Sequence, residues 1–328
     1  MKKILFLFPT LLLAACADTE RYYEVPDEPE RPSWTETLER WEQLLPSTGF
    51  VDVVETIPAD IDHVHYDDFI ENQEFKTGRI INITWTGDAV TVDNTQQDKG
   101  VKITVNGTRV VVENLSTDAE ADDARGKVTY CLKGAAADGQ FKIYSDKKFQ
   151  LQLAGLDLTC KDGPAINIQT KKRCFVVCAE GTDNLLQDGP TYASDAIAEP
   201  TEDEKGCLFS EGQLIFYGPG RLTVLAQHQH AIASDEYIYV HSSSHITVAD
   251  APKDGIHAKE QYFQSGGLVR SYAEKDALQS DTLGIHLTGG YLYLCGSRAW
   301  KADGEGTMHI EEPAKVAPIS WNISDEDL

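Results

Sequence analysis

Gly206-Cys207-Leu208-Phe209-Ser210-Glu211, His230-Ala231-Ile232-Ala233-Ser234-Asp235, Asp254-Gly255-Ile256-His257-Ala258-Lys259 and Asp276-Ala277-Leu278-Gln279-Ser280-Asp281 stack on one another. Their apolar anchors Leu208, Ile232, Ile256 and Leu278 recur after 24, 24 and 22 residues. A fixed period in this range marks a repeat architecture. Between the anchors lie short β-branched or aromatic runs at 213–217, 221–225, 237–240, 245–248, 268–271, 284–287 and 291–294. Glycine or polar residues separate these runs, and none is long enough for a helix, so they read as strands. Two to three strands per coil, each coil stacked on the last, is a parallel β-helix. The Leu-x-x-Leu-x-Leu of leucine-rich repeats is absent, and a propeller blade would need roughly 40 residues or more.

Outward from this stretch the pattern continues with less regularity. Strand-like runs begin near residue 80 and recur at 101–105, 109–113, 128–132, 141–144, 149–153, 156–160, 165–168 and 173–178. The gap from Ile166 to Leu208 holds one ordinary coil plus an acidic loop, 188–204. Beyond Gly296 the regular strands fade, which assigns 77–296 to the β-helix and 297–328 to a C-terminal cap and acidic tail. Residues 33–45 form the best helix. Ser33 and Glu36 make a capping box, and Trp34, Leu38, Trp41 and Leu45 share one face. A solenoid has an open apolar end to cover, so this helix is expected as a cap within an N-terminal region, 33–76. His63 and His65 lie near Asp62, Asp67 and Asp68, a metal-like pattern without a third placed ligand.

The start of the chain is a targeting segment. Lys2 and Lys3 precede a short apolar run, and Leu13-Ala14-Ala15-Cys16 follows. This resembles the lipobox of bacterial lipoproteins, which implies cleavage before Cys16 and a lipid on its sulfur. Residues 17–32 carry Asp18, Glu20, Glu24, Asp27, Glu28 and Glu30 and read as an extended tether. An acidic stretch just after the cysteine resembles the surface-export signal of Bacteroidetes lipoproteins. The expected location is the outer membrane, lipid-anchored, at the cell surface. A net charge of −24 argues against nucleic acid and anionic membrane surfaces as partners. Cys131, Cys160, Cys174, Cys178, Cys207 and Cys295 show no C-x-x-C or C-x-x-H spacing. Several of them sit at strand ends and are expected as an interior column of free thiols, although the compartment permits disulfides.

Phe141-Lys142-Ile143-Tyr144-Ser145-Asp146-Lys147-Lys148-Phe149, Asp162-Gly163-Pro164-Ala165-Ile166-Asn167-Ile168, Gly181-Thr182-Asp183-Asn184 with Asp188-Gly189, Phe209-Ser210-Glu211-Gly212-Gln213-Leu214 and Asp254-Gly255-Ile256 carry a family resemblance. Together they resemble the carbohydrate-binding β-helix family typified by a clostridial cellulose- and pectin-binding protein, similar in fold to polysaccharide lyase family 9. The resemblance runs over about residues 65–295. It implies an all-β, right-handed parallel β-helix, bound calcium, and non-catalytic binding of acidic plant polysaccharide. The chain departs from the family's Asp-Gly-Ile at Asp276-Ala277-Leu278 and His230-Ala231-Ile232.

Stacked coils set equivalent residues about 4.8 Å apart. One column reads Glu211, Asp235, Lys259, Asp281, and another reads Gly206, His230, Asp254, Asp276. Lys259 is placed to neutralise Asp235 and Asp281, whereas Glu211–Asp235 and Asp254–Asp276 are adjacent acids that call for a cation. Calcium accepts such oxygen donors. Asp183, Asp188, Asp195, Glu202 and Asp203, with Asn184, offer a second set in and near the loop. A bridging calcium would also let an acidic protein hold a pectin-type polyuronate. Tyr192, Tyr217, Tyr239 and Tyr262, with Tyr291 and Tyr293, are candidates to stack on sugar faces, including cellulosic ones. Two rival readings are a polyuronate lyase with Lys259 or Arg221 as base, and an adhesin or protein-binding solenoid.

Overall fold

The structure, a computed structural model, describes residues 30–45, 75, 79–115, 127–241, 243–303 and 307–321. Cys16, the tether up to residue 29, His63 and His65 lie outside the described residues. All the elements below belong to one compact unit, Arg31–Leu328.

Helix α1 (Trp34–Leu44) comes first. The antiparallel pair β1 (Ile80–Thr86) and β2 (Val90–Asp93) follows, then a second such pair, β3 (Lys102–Asn106) and β4 (Arg109–Asn114). From there successive coils pair in parallel. The next strands are β5 (Val128–Ala136), β6 (Gln140–Ser145) and β7 (Phe149–Cys160). One coil holds β8 (Ile166–Ile168), β9 (Cys174–Cys178) and β10 (Asp183–Asp188). The next holds β11 (Gly206–Ser210), β12 (Leu214–Tyr217) and β13 (Arg221–Leu225). A third holds β14 (His230–Ser234), β15 (Ile238–Val240) and β16 (His245–Asp250). Then β17 (Ile256–Ala258) leads into β18 (Gln261–Tyr272), and β19 (Asp276–Ser280) into β20 (Gly284–Gly296). A last coil is made by β21 (Arg298–Ala302), β22 (Met308–Ile310) and β23 (Lys315–Ser320).

The strands form two sheets around one core. A nine-stranded sheet runs β21-β19-β17-β14-β11-β8-β6-β4-β3, and a fourteen-stranded sheet takes the remaining strands. The anchors stack as expected. Leu208 pairs with Ile166 below and Ile232 above, Ile232 with Ile256, and Ile256 with Leu278. All five are buried in the main core, where truncating one to Ala costs about 2–5 kcal/mol. Glycines at positive φ split the larger sheet into two walls. Gly267 bends β18, Gly290 bends β20, and Gly218 turns the chain between β12 and β13. A Cβ at Gly218 would lie 2.3 Å from the Cys178 carbonyl oxygen, so this corner takes glycine for space as well as conformation.

Three expectations change. Strands do not fade after Gly296: β21–β23 add a coil, with Trp300 paired to Leu278 and Val316 to Leu292. The change of anchor from Leu or Ile to Trp300 hides the period. The helix covers a wall rather than an open end. Its Trp41 packs with Tyr272, Tyr293, Cys295, Ala317 and Ile319, the outward rows of β18, β20 and β23. The capping box at Ser33 and Glu36 is present, whereas Leu38 stays 37% exposed and Thr37 is buried in its place. The six described cysteines are all free and buried, but the interior set is Cys160, Cys174, Cys178 and Cys207. Cys295 lies beneath the helix instead. Burial pushes the Cys178 thiol up to about 12, as befits an inert packing group.

Candidate functional site

The outward face of the nine-stranded sheet gathers the charged columns. Pairing of Ser210 with Ser234, Ser234 with Ala258 and Ala258 with Ser280 carries the next residue of each strand, Glu211, Asp235, Lys259 and Asp281, into one row. At the other end of the same strands Gly206 pairs with His230, and Asp276 with Arg298. His257 stands in the row between, opposite Ala233 and Gln279. A cleft of about 200 Å³ opens on this face, lined by Lys205, His230, Asp235, His257, Lys259 and Asp281. Ala233 and Ser234 form the rest of its lining.

The acidic loop lies over the same sheet, beside a cleft of about 400 Å³ lined by Arg109, Gln140, Lys142, Glu202 and Glu204 among others. Lys142 reaches Glu202 at 2.7 Å, and the Tyr144 hydroxyl donates to the same carboxylate. Asn167 donates to Glu204 at 3.1 Å, and Gln169 to the Asp203 carbonyl at 2.6 Å. These contacts pin the loop to β6 and β8.

Electrostatics here differ from the expected pile of acids. Lys205, just before β11, reaches Asp235 and Asp203 at 2.7 Å each. Asp276 is fully buried and meets Arg298 through two hydrogen bonds of 2.7 and 2.9 Å. Asp254 is fully buried too, with His230 at 3.2 Å, His257 at 3.0 Å and Lys275 at 3.3 Å. Burial pushes the Asp254 carboxyl up, but hydrogen bonds from the two imidazoles outweigh it and hold the group far below the usual range. Asp254 and Asp276 therefore each meet cationic groups of this chain, so charge balance there does not call for an added ion. Lys259 does not bridge Asp235 and Asp281: Lys205 takes the first, and His257 Nε2 takes the second at 3.0 Å. Among the described residues the Lys259 ammonium has no ion-pair partner.

The loop acids do not share one site. Asp183 pairs with Arg221 on the fourteen-stranded sheet, both exposed, which also removes Arg221 from the acid columns as a candidate base. Asp188 is fully buried and accepts from the Tyr192 hydroxyl and the Gln227 N–H, each at 2.6 Å. Burial raises its carboxyl to about 6. Asp195 accepts from the Tyr192 N–H at 2.8 Å and meets His228 at 3.2 Å. Glu202 and Asp203 face the nine-stranded sheet. Glu211 is poorly matched: burial, then Asp203 and Asp235, push its carboxyl up, and Lys171 offsets them only in part. The four tyrosines offer no open ring for a sugar. Tyr192 closes over Asp188, and Tyr262 faces the main core. Tyr217 and Tyr239 lie in a second apolar cluster with Phe175 and Phe263, against which Phe75 packs. Tyr293 is buried beneath the helix.

Lys205, His257, Lys275 and Arg298 are site residues that the sequence pattern does not single out. Arg298 stands 22 residues after Asp276, the spacing of the preceding coil, and is legible once a further coil is granted. His257 sits three residues after Asp254, inside one of the stacked repeats. Lys205 stands one residue before the stacked segments, in the column of Gln229, Lys253 and Lys275 at the same 24, 24 and 22 spacing.

The profile described as carbohydrate-binding domain-containing protein matches residues 123–308. A carbohydrate-binding domain-containing protein of Acetivibrio thermocellus is 26% identical over 159 residues, which are 46% of this chain and 54% of that protein. The match thus spans about half the length of that relative. A polysaccharide lyase-like protein from C. thermocellum, solved as a gadolinium derivative, is similar in structure with a TM-score of 0.53. Identity is 19%, over 72% of this chain and 99% of that one, a likeness of fold.

Proposed function

The chain belongs to the carbohydrate-binding domain-containing family, and from that premise we propose that the outward face of the nine-stranded sheet is its glycan surface and binds a polysaccharide bearing carboxylates. One observation carries this reading: Lys259 stands in the cleft with an ammonium that no described residue engages. A cation left free in a concave site favours an anionic ligand group, here a uronate of the pectin type. A cellulosic ligand would want open aromatic faces. Tyr192, Tyr217, Tyr239, Tyr262 and Tyr293 are buried and Tyr291 is half-buried against the cluster under the helix, and Trp300 is the one aromatic among the large exposed apolar side chains of the described residues. Affinity electrophoresis in polygalacturonate gels tests the reading. Retardation of the chain and its loss in Lys259→Ala support it, and equal mobility of both proteins in every acidic glycan overturns it.

Calcium belongs to this proposal at one place. Asp203 and Asp235 share the ammonium of Lys205, and both push up the carboxyl of Glu211, which Lys171 relieves only in part. Oxygen donors of this kind suit calcium, which would add waters or sugar oxygens to its shell. Calcium should raise the melting temperature and Glu211→Gln should remove the rise; a melt indifferent to chelator discards the ion. Display at the cell surface by a lipid on Cys16 would present the cleft to extracellular polymer, and labelling with a palmitate analogue tests it. The lyase reading keeps Lys259 alone, since Arg221 is committed to Asp183. Unsaturated products absorbing in the ultraviolet after incubation with polygalacturonate would favour the lyase over simple binding.

A further inference from the structure

We propose that His230, Asp254 and His257 form a binding site for a divalent transition-metal ion of the zinc type at the edge of the cleft. Asp254 Oδ2 lies 3.2 Å from His230 Nδ1 and 3.0 Å from His257 Nδ1. The donor atoms all fall within 4.8 Å of one another. A tetrahedral ion with bonds of about 2.0–2.2 Å needs donors roughly 3.3–3.5 Å apart, so the carboxylate oxygen need move from the two nitrogens by only a few tenths of an ångström.

The surroundings hold each donor in place. The other oxygen of Asp254 is engaged by the Asp276 N–H and by Lys275, each at 3.3 Å, which leaves Oδ2 turned toward the rings. His257 sets its Nε2 3.0 Å from Asp281 Oδ2. A carboxylate on the far nitrogen of an imidazole fixes the ring and its tautomer, the usual support of a metal-bound histidine. The two rings stand edge to face at 4.5 Å, and His230 Nδ1 also accepts the Asp254 N–H at 3.2 Å, a contact the ion would displace. The fold makes this convergence: His230 sits one coil before Asp254, and His257 follows Asp254 on the next strand.

Two imidazoles and one carboxylate suit zinc and its neighbours, whereas calcium wants six to eight oxygens. Three protein donors leave a coordination position open, and His230 and His257 both line the cleft onto which it faces. The site does not depend on the glycan reading, because its three protein donors are in place whatever fills the open position.

The test is calorimetric titration of zinc into the full chain after chelator treatment, with cobalt as a visible-absorption probe. One ion per chain is expected, with the absorption of low-coordinate cobalt. His230→Gln and His257→Gln should each abolish that binding. Asp281→Asn, half-buried beside His257, should weaken it about tenfold or more while every ligand stays unchanged. His245→Gln, on the other sheet, should change nothing. Thermal melts confirm that each variant is folded. The proposal fails if zinc shows no saturable binding up to about 100 µM, or if one equivalent still binds to folded His230→Gln and His257→Gln.

Discussion

Arg298 lies one coil beyond Asp276 and closes on its buried carboxylate with two hydrogen bonds, 2.7 Å from Nε and 2.9 Å from Nη2. Lys275 stands 3.8 Å from the same group and offers only partial relief. Removing one partner of a buried pair leaves an uncompensated charge, a loss of about 3–5 kcal/mol when both partners are enclosed. Arg298 is partly solvated, so Arg298→Ala should cost less, about 2–3 kcal/mol. Urea unfolding measures it. Asp276→Asn in the same background should restore most of the loss, because the charge that needed Arg298 is gone. If the double variant is as unstable as the single one, packing rather than charge explains the loss.

Lys259 should separate binding from stability. Its ammonium has no described partner, so Lys259→Ala should leave the melt unchanged to within about 0.5 kcal/mol. The same change should remove most of the retardation in polygalacturonate gels. Lys205→Ala should act differently. It strips the cation shared by Asp203 and Asp235, so stability should fall along with binding.

These contrasts show what the sequence made legible. The spacing of Leu208, Ile232, Ile256 and Leu278 yields the coil, the register and both charged columns, since one inward apolar residue per strand is a strong periodic signal. The partners of the acids were harder to read. Lys205 precedes its strand, and Arg298 belongs to a coil anchored by Trp300 rather than Leu or Ile. The tyrosines were misread for a parity reason and a covering reason. Tyr262 pairs with Ile238 and so faces inward. Tyr239 faces outward but into an apolar cluster that includes Phe75, far away in the chain. Long-range cover of this kind leaves no periodic trace.

Asp188 gives the fold a pH dependence of definite sign. Its folded carboxyl, raised to about 6 by burial, binds a proton that the unfolded chain has already released. Stability from this group is therefore complete below the ordinary carboxylate range and is lost as pH rises through about 6. The amount is roughly 3 kcal/mol when the folded and unfolded titrations lie about two pH units apart. Asp188→Asn should cancel that part of the slope. Melting temperatures from pH 4 to 8 should diverge most at the alkaline end, with the variant more stable there. Parallel curves for the two proteins would show that the carboxylate is not strained by burial.

The corners of the coil test the architecture most directly. Gly181 has φ +71° with no atom within 4 Å of the place a Cβ would take, so Gly181→Ala meets only the backbone preference, about 1–2 kcal/mol. Gly218 has φ +90° and its Cβ would fall 2.3 Å from the Cys178 carbonyl oxygen of the preceding coil. Gly218→Ala must therefore add overpacking of about 1–3 kcal/mol to the same backbone term. The difference between the two variants in urea measures how tightly successive coils stack at this edge. Equal losses would mean that the coils separate there without resistance, and the cleft built across β11, β14 and β17 would lose its rigid frame.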